Sequence, residues 1–290
     1  MAEQEKQQVA KKKPVDALKA IIAATSVQDQ FKNALGENAN SFVASLIDLY
    51  NTDKSLQECN PNQVVSEALR AAVLKLPIIK ALGYAYIIPF KIKGVLTPVF
   101  MVGYKGLIQL AMRTGQYRFI NADVVYEGEI SSRDKLTGAI NFDGKKKSDK
   151  VVGYFAHIEL LNGFQKTLYA DVLEIAKHAK KYSPSLRHDK RTVEELAKLA
   201  GKDPTGIGWT GDFDSMALKT VLRELLSKYG YLSIEMMDVV SKDKELDYQT
   251  QRDNAVEDVE IVEVSMEQVT EEGEKIDDVQ QQQQEEQPPY

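Results

Sequence analysis

The chain has 290 residues, of which 43% are hydrophobic and 28% charged, with a formal net charge of −6 and a pI near 5.3. No apolar run approaches the ~20 residues that a membrane helix needs, and the polar first residues lack the apolar region of a secretory signal. The single cysteine, Cys59, excludes an intramolecular disulfide and a cysteine-based metal cluster, so we expect a cytoplasmic globular protein.

The N-terminal part of the sequence predicts helices. Residues 1–13 are rich in Gln and Lys and have no hydrophobic face, so we expect them to be disordered. Pro14 suits a first helical turn, and apolar residues follow it at helical spacing. Asn60-Pro61 predicts another helix start, an N-cap followed by proline, ahead of an apolar stripe.

The middle of the sequence predicts strands with one helix between them. Residues 84–90 and 95–102 form a predicted hairpin, and a helix is expected from Lys105 to about Thr114, closed by Gly115. Tyr117–Tyr126 reads as a further strand. Asn162-Gly163 lies between two strand-like segments, which is typical of a hairpin with a type I′ turn.

Helices are predicted again after residue 170. Asp171 is a predicted N-cap, Thr192–Glu195 fits a capping box, and a helix covers about Phe213–Lys228. Helices, then hairpins with an inserted helix, then helices predict an α+β fold with an antiparallel sheet flanked by helices.

Charge is segregated along the chain. Residues 241–290 contain 16 acidic and 4 basic residues, a net charge of −12, whereas residues 1–240 contain 33 basic and 27 acidic residues, a net charge of +6. We therefore divide the chain into a basic, mostly flexible arm (1–25), a folded domain (26–240) and an acidic, largely disordered tail (241–290).

The sequence offers weak support for nucleotide or metal chemistry. Gly206–Gly211 matches G-x-G-x-x-G but follows no credible strand, and no phosphate-binding G-x-x-x-x-G-K-[ST] motif is present, so we expect no use of ATP. The histidines His157, His178 and His188 show no metal-binding spacing. Five acidic residues could hold a metal ion, although Asp212 and Asp214 favour helix capping and the strand-end acids favour solvation: Asp123, Glu127, Glu129, Asp212 and Asp214.

Basic residues are arranged on the polar faces of two predicted helices. Lys105 and Arg113 lie opposite the apolar stripe of one helix, and Lys219 and Arg223 lie four residues apart on the other. The i,i+4 repulsion of the second pair favours an anion over these residues, with a solvated face as the open alternative. Nearby aromatic residues fit either base stacking or ordinary sheet packing: Tyr84, Tyr86 and Tyr104.

Three segments in chain order carry a family resemblance. They are LGYAYIIPF at 82–90, GYKGLIQLA at 103–111 with Arg113 and Gly115-Gln116, and Trp209 with MALKT at 216–220 and Arg223. Over about Asn60 to Val240 the chain resembles the RecT family of phage single-strand annealing proteins, and a Gram-positive phage or prophage version is the closest kind.

The resemblance implies an ATP-independent recombinase with a β-β-β-α-type core. Such a protein binds single-stranded DNA, forms rings or helical filaments, anneals the complementary strand into a duplex intermediate, and works with a phage exonuclease and the host single-strand binding protein. It implies that residues 26–240 bind DNA and self-associate, and that the acidic tail binds a partner or competes with DNA, unless it only solubilises the chain. No cofactor is expected, and a role for Mg²⁺ stays open.

On this resemblance, specific residues become candidates for DNA contact. Phosphate contacts are expected from Lys91, Lys93, Lys105, Arg113, Lys219 and Arg223, and stacking or groove-wall contacts from Tyr84, Tyr86 and Tyr104. We expect no catalytic residues and no metal ligands. The alternatives are a metal-dependent phage nuclease or related DNA enzyme that uses Asp123, Glu127, Asp212 or Asp214 and, less favoured, a phage scaffold protein.

Overall fold

The computed structural model describes residues 14–92, 94–186, 188–234, 236–239 and 241. The helices are α1 (Pro14–Ile22), α2 (Thr25–Leu35), α3 (Ala39–Thr52), α4 (Lys54–Gln57), α5 (Pro61–Val73), α6 (Tyr104–Arg113), α7 (Val172–Tyr182), α8 (Val193–Ala197) and α9 (Phe213–Tyr229). The strands are β1 (Ala85–Ile92), β2 (Val95–Val102), β3 (Tyr117–Tyr126), β4 (Ser132–Arg133), β5 (Ile140–Asn141), β6 (Val151–Leu160) and β7 (Gln165–Asp171). The predicted α+β class is therefore confirmed. None of the described helices is long and apolar enough to span a bilayer.

The first helices pack together around α5. Helix α1 contacts α3 and α5, and its Leu18 is fully buried, as are Leu46 of α3 and Val64 of α5. The predicted helix start at Pro14 is confirmed, as is the Asn60 cap, whose side chain accepts from the Asn62 N–H. Leu18 belongs to the core, so α1, which lies within the predicted arm of residues 1–25, packs on the folded domain.

Strands β1 and β2 form a separate two-stranded antiparallel hairpin that packs on α5. In its register, Pro89 lies opposite Pro98 and Ile87 lies opposite Phe100. The Phe100 N–H donates to the Glu67 carboxylate of α5 at 2.8 Å. This bond attaches the outer edge of β2 to the helical layer.

The larger sheet has the order β3-β6-β7, with both pairs antiparallel. Tyr154, Ala156 and Ile158 of β6 are fully buried on the face that packs against α9. The predicted hairpin at Asn162-Gly163 is confirmed, but the type I′ turn is wrong because only Gly163 of the two has a positive φ, at +86°. The Gly163 N–H donates to the Leu160 carbonyl, and the left-handed glycine then returns the chain into β7.

The predicted helix N-caps in the C-terminal half of the chain are confirmed. Asp171 and Thr192 each form a capping box with the glutamate three residues later, Glu174 and Glu195. Helix α9 carries the predicted apolar stripe on its buried side, made of Leu218, Val221, Leu222 and Leu225. Helix α9 therefore lies across the larger sheet and also contacts α6.

Candidate functional site

A cleft of about 190 Å³ lies where the hairpin, α7 and α9 meet. One wall is the face of β1 that bears Tyr86, Ile88 and Phe90, joined by Met101 of β2. Strand alternation explains this wall, because the intervening Ala85 and Ile87 point into the core and are fully buried. The hairpin thus supplies a mainly apolar surface to the cleft.

The opposite wall carries the positive charge. Lys219 and Arg223 of α9 both line the cleft, and Lys219 is only 6% exposed. The alternative of a fully solvated helix face is therefore wrong for Lys219. Asp212 also lines the cleft, where its carboxylate accepts from the Ser215 N–H as the N-cap of α9. Two cations and one carboxylate therefore lie on this wall among the described residues.

The end of α7 closes the cleft with an aromatic pair. The rings of His178 and Tyr182 have centroids 4.7 Å apart, and both residues line the cleft. Burial, followed by the positive charge of Arg223, lowers the pKa of His178 to about 4. His178 is therefore neutral near pH 7, so the positive charge of the cleft comes from α9.

The N-terminus of α6 adjoins the cleft through the Gly103–Gly106 segment. The Gly103 N–H donates to the Tyr84 carbonyl at 2.9 Å, and a Cβ on Gly106 would lie 2.2 Å from that same oxygen. Such close backbone approach requires glycine. It places Tyr104 and Lys105 at the edge of the hairpin.

Tyr86, Tyr104 and Lys105 belong to one neighbourhood. Burial, followed by the charge of Asp212, raises the pKa of both tyrosine hydroxyls. The Tyr86 hydroxyl and the Lys105 stem both approach Gly83, since a Cβ there would lie 3.4 and 3.5 Å from them. The structure therefore gathers Tyr86, Tyr104, Lys105 and the two α9 cations in or beside the cleft.

The other predicted DNA contacts lie elsewhere. Tyr84 is half-buried against the core and does not line the cleft. Arg113 donates to the Leu74 and Lys75 carbonyls at 2.6 and 3.0 Å, at the end of α5. Lys91 is exposed on β1, on the face opposite Tyr86 by strand alternation. Lys93 lies outside the described residues.

The acidic residues considered as metal ligands are partly engaged in the fold. The Asp214 carboxylate accepts from the Tyr154 hydroxyl at 2.6 Å and from the Gly201 N–H at 3.0 Å. Asp212 caps α9 as described above. Within the described residues, no group of three or more His, Cys, Asp or Glu side chains is placed to hold a metal ion.

Several cleft residues were not predicted as DNA contacts, because the sequence pattern around each of them is weak evidence on its own. His178 was weighed only as a metal ligand, whereas the structure places it beside Arg223 in the cleft wall. Phe90 and Ile88 share the alternation of Tyr86, and this period-2 pattern places Phe90 on the same strand face as Tyr86, although only Tyr86 of the three is among the predicted DNA contacts. Tyr182 sits in the last turn of α7 and has no motif around it.

Comparison with known proteins decides the family. The model of the RecT family matches residues 40–259, about three quarters of the chain. The chain belongs to the RecT family. Membership supports a single-strand annealing role in DNA recombination.

Two relatives of this RecT-family chain illustrate the breadth of the likeness. It is 41% identical over 246 residues to the uncharacterized protein YqaK of Bacillus subtilis strain 168, covering 84% of this chain and 78% of YqaK. It is 29% identical over 199 residues to protein RecT of Escherichia coli K12, covering 66% of this chain and 65% of RecT. The matched range of the family model contains the hairpin, α6, α7 and α9, and hence the whole cleft.

Proposed function

We propose that this protein binds single-stranded DNA along the cleft and pairs it with a complementary strand without ATP, inside the bacterial host cell. The observation that carries the proposal is the convergence of Lys219, Arg223 and Tyr86 in one cleft of a RecT-family chain. Cations held on one wall can neutralise phosphates, and an aromatic wall can contact bases. Family membership alone supports two further parts of the proposal, assembly into rings or filaments and partnership with an exonuclease and a host single-strand binding protein.

Phosphate neutralisation explains how annealing can proceed without hydrolysis. Two single strands repel each other, so bringing them together requires cations that reduce the repulsion while most bases remain able to pair. Phosphate contacts carry no base information, so binding is expected to be nearly independent of sequence. Neighbouring protomers on one strand would multiply weak contacts through effective concentration.

The first test measures affinity for oligonucleotides of different sequence as a function of salt. On single strands, log K is expected to fall by about 0.7 per neutralised phosphate for each unit of log salt. Arg223→Met and Lys219→Met should each weaken binding to all sequences and reduce that slope by about 0.7. Lys228→Met is the matched control, because Lys228 lies on α9 outside the cleft and pairs with Glu224.

The second test mixes labelled complementary strands without ATP, with and without Mg²⁺. Accelerated formation of full-length duplex, with rings or filaments in electron micrographs, is the expected result. Shortened strands in the presence of Mg²⁺ would instead indicate a nuclease. A flat salt dependence together with unchanged affinity in both α9 variants would overturn the cleft as the DNA site.

A further inference from the structure

The cleft is unusual for a phosphate groove because much of its lining is aromatic or aliphatic. Three separate elements contribute rings: β1 with Phe90, α7 with Tyr182, and the segment before α9 with Trp209. Ile88 and Ile207 add aliphatic surface. Hydrated phosphate gains nothing from such a surface, because moving charge out of water without a partner is costly. The lining therefore suits a flat apolar group that adjoins a phosphate.

Two of these rings are held in place by the packing around them. Trp209 is 4% exposed and meets Phe213 edge-on with ring centroids 5.4 Å apart. The Tyr182 ring is paired with His178 at 4.7 Å. Preorganised aromatic walls lose little conformational entropy when a planar ring enters between them.

Charge lies on only one side of this space. Lys219 and Arg223 are one helical turn apart on α9, whereas the hairpin wall opposite them carries no charged lining residue among those described. A nucleotide is divided in the same way, with a planar base at one end and an anionic phosphate at the other. The cleft volume, about 190 Å³, exceeds the roughly 30 Å³ share of one water several-fold, so it has space for a ring.

We infer that each protomer receives one nucleobase of the bound single strand in this cleft, while Lys219 and Arg223 hold the phosphates beside it. The inference rests on the proposed function and adds the class of ligand that enters the cleft. The captured base is withdrawn from pairing, while its neighbours along the strand stay exposed. A duplex with every base paired cannot supply such a base without local opening, so the cleft favours single strands over duplex.

The experiment compares two ligands of equal phosphate number. One is a short oligothymidylate, and the other is a strand of the same length with a tetrahydrofuran abasic residue at every position, so that it has no base to be captured. Phe90→Ala should weaken binding of the thymidylate on the order of tenfold, the range of one lost stacking contact, and leave the abasic strand nearly unchanged. Arg223→Met should weaken both strands by the same factor.

Phe119→Ala is the matched control, because Phe119 is 62% exposed on β3 and does not line the cleft. A folding defect in Phe90→Ala would lower the affinity for both strands equally, so the ratio of the two affinities reports base capture alone. Equal losses on the two strands, or no loss on either, would overturn base capture. If base capture fails in this way but Arg223→Met still weakens DNA binding, the proposed function stands. If the wild-type protein binds neither strand, base capture and the proposed function are both overturned.

Discussion

At the scale of single residues, surroundings rather than residue type set the charge of the cleft. His178 is close to Arg223 and Lys181, whose positive charges add to burial in disfavouring its protonated form, while Glu224 opposes them. Lys219, by contrast, lies on the polar side of an amphipathic helix and is nonetheless buried. Neither outcome is visible in helical periodicity, because both depend on elements far away in the sequence.

His178 makes folding sensitive to mild acid. Its pKa is about 4 in the folded state, below the value near 6.5 of the unfolded chain, so the unfolded state binds more protons between these values. The stabilisation from neutral His178 is complete above pH 6.5 and is lost as the pH falls toward 4. The free energy of unfolding should therefore fall between pH 7 and pH 4.5 in the wild type. In His178→Phe we expect this fall to be smaller by on the order of 1–2 kcal/mol. Urea unfolding at the two pH values measures this difference, and equal losses in the two proteins would contradict it.

At the scale of elements, the junction between the hairpin and α6 depends on two glycines that admit backbone contact. A Cβ on Gly103 would lie 2.2 Å from the Gly83 carbonyl oxygen, and one on Gly106 would lie 2.7 Å from the Val102 Cγ1 as well as close to Tyr84. The hairpin and the helix are therefore docked more closely than any larger residue permits. Tyr104 and Lys105, between these glycines, take their positions from that docking.

Gly106→Ala should separate α6 from the hairpin. Alanine is a better helix former by about 1 kcal/mol, but the new methyl group meets backbone that cannot move aside, and such overpacking costs about 1–3 kcal/mol. We expect net destabilisation in thermal unfolding together with weaker DNA binding. Gly206→Ala is the control, since its Cβ would meet only the Gly211 Cα at 4.0 Å. A Gly106→Ala protein as stable as the wild type would show that the contact is not tight.

Local signals predicted the elements well because each has a local cause. The Asn60, Asp171 and Thr192 caps, and the apolar stripe of α9, depend on residues within a few positions of one another. Arg113 shows the limit of such reasoning. Its carbonyl acceptors at Leu74 and Lys75 are 38 and more residues away, so its contact with the end of α5 could not be read from its place on α6.

The cleft was predictable only in part for the same reason. Family motifs pointed to Tyr86, Lys219 and Arg223, which the fold brings together from opposite walls. Phe90 ends the first motif segment, whereas Tyr182 lies in no motif, and only the folded chain shows that both line the same cleft. The burial of Leu18 could not be predicted from the N-terminal segment alone, because α1 packs on α3 and α5.

At the scale of the whole molecule, the net charge of the chain changes sign near residue 240, where the described residues end. Residues 1–240 carry +6 and residues 241–290 carry −12. The two cleft cations of α9 are thus part of a modestly basic body attached to a strongly acidic tail. Of the three roles open to the tail, competition with DNA is the one that electrostatics favours, because we expect an acidic segment on the same chain to act at a high effective concentration.

Removal of the tail should therefore strengthen DNA binding. Residues 251–290, which make up most of the tail, contain 13 acidic and 2 basic residues, so their deletion changes the net charge from −6 to +5. We expect faster association and tighter binding at low salt, with the difference shrinking as salt screens the charges. A full-length variant with Asn and Gln in place of the tail acids should behave like the deletion. Unchanged association rates in both would favour a partner-binding or solubilising tail.

The proline pair of the hairpin bears on how copies of this protein can meet. Pro89 and Pro98 lie opposite each other and lack N–H donors, so at this pair both outer edges of the two-stranded sheet are missing a hydrogen-bond donor. The Phe100 N–H on the same edge of β2 is already bonded to Glu67. Exposed strand edges invite other strands to add to them, and prolines discourage this addition. If protomers assemble on one strand as proposed, the prolines disfavour the joining of their hairpins into a continuous sheet, so we expect an ordered assembly to use other surfaces.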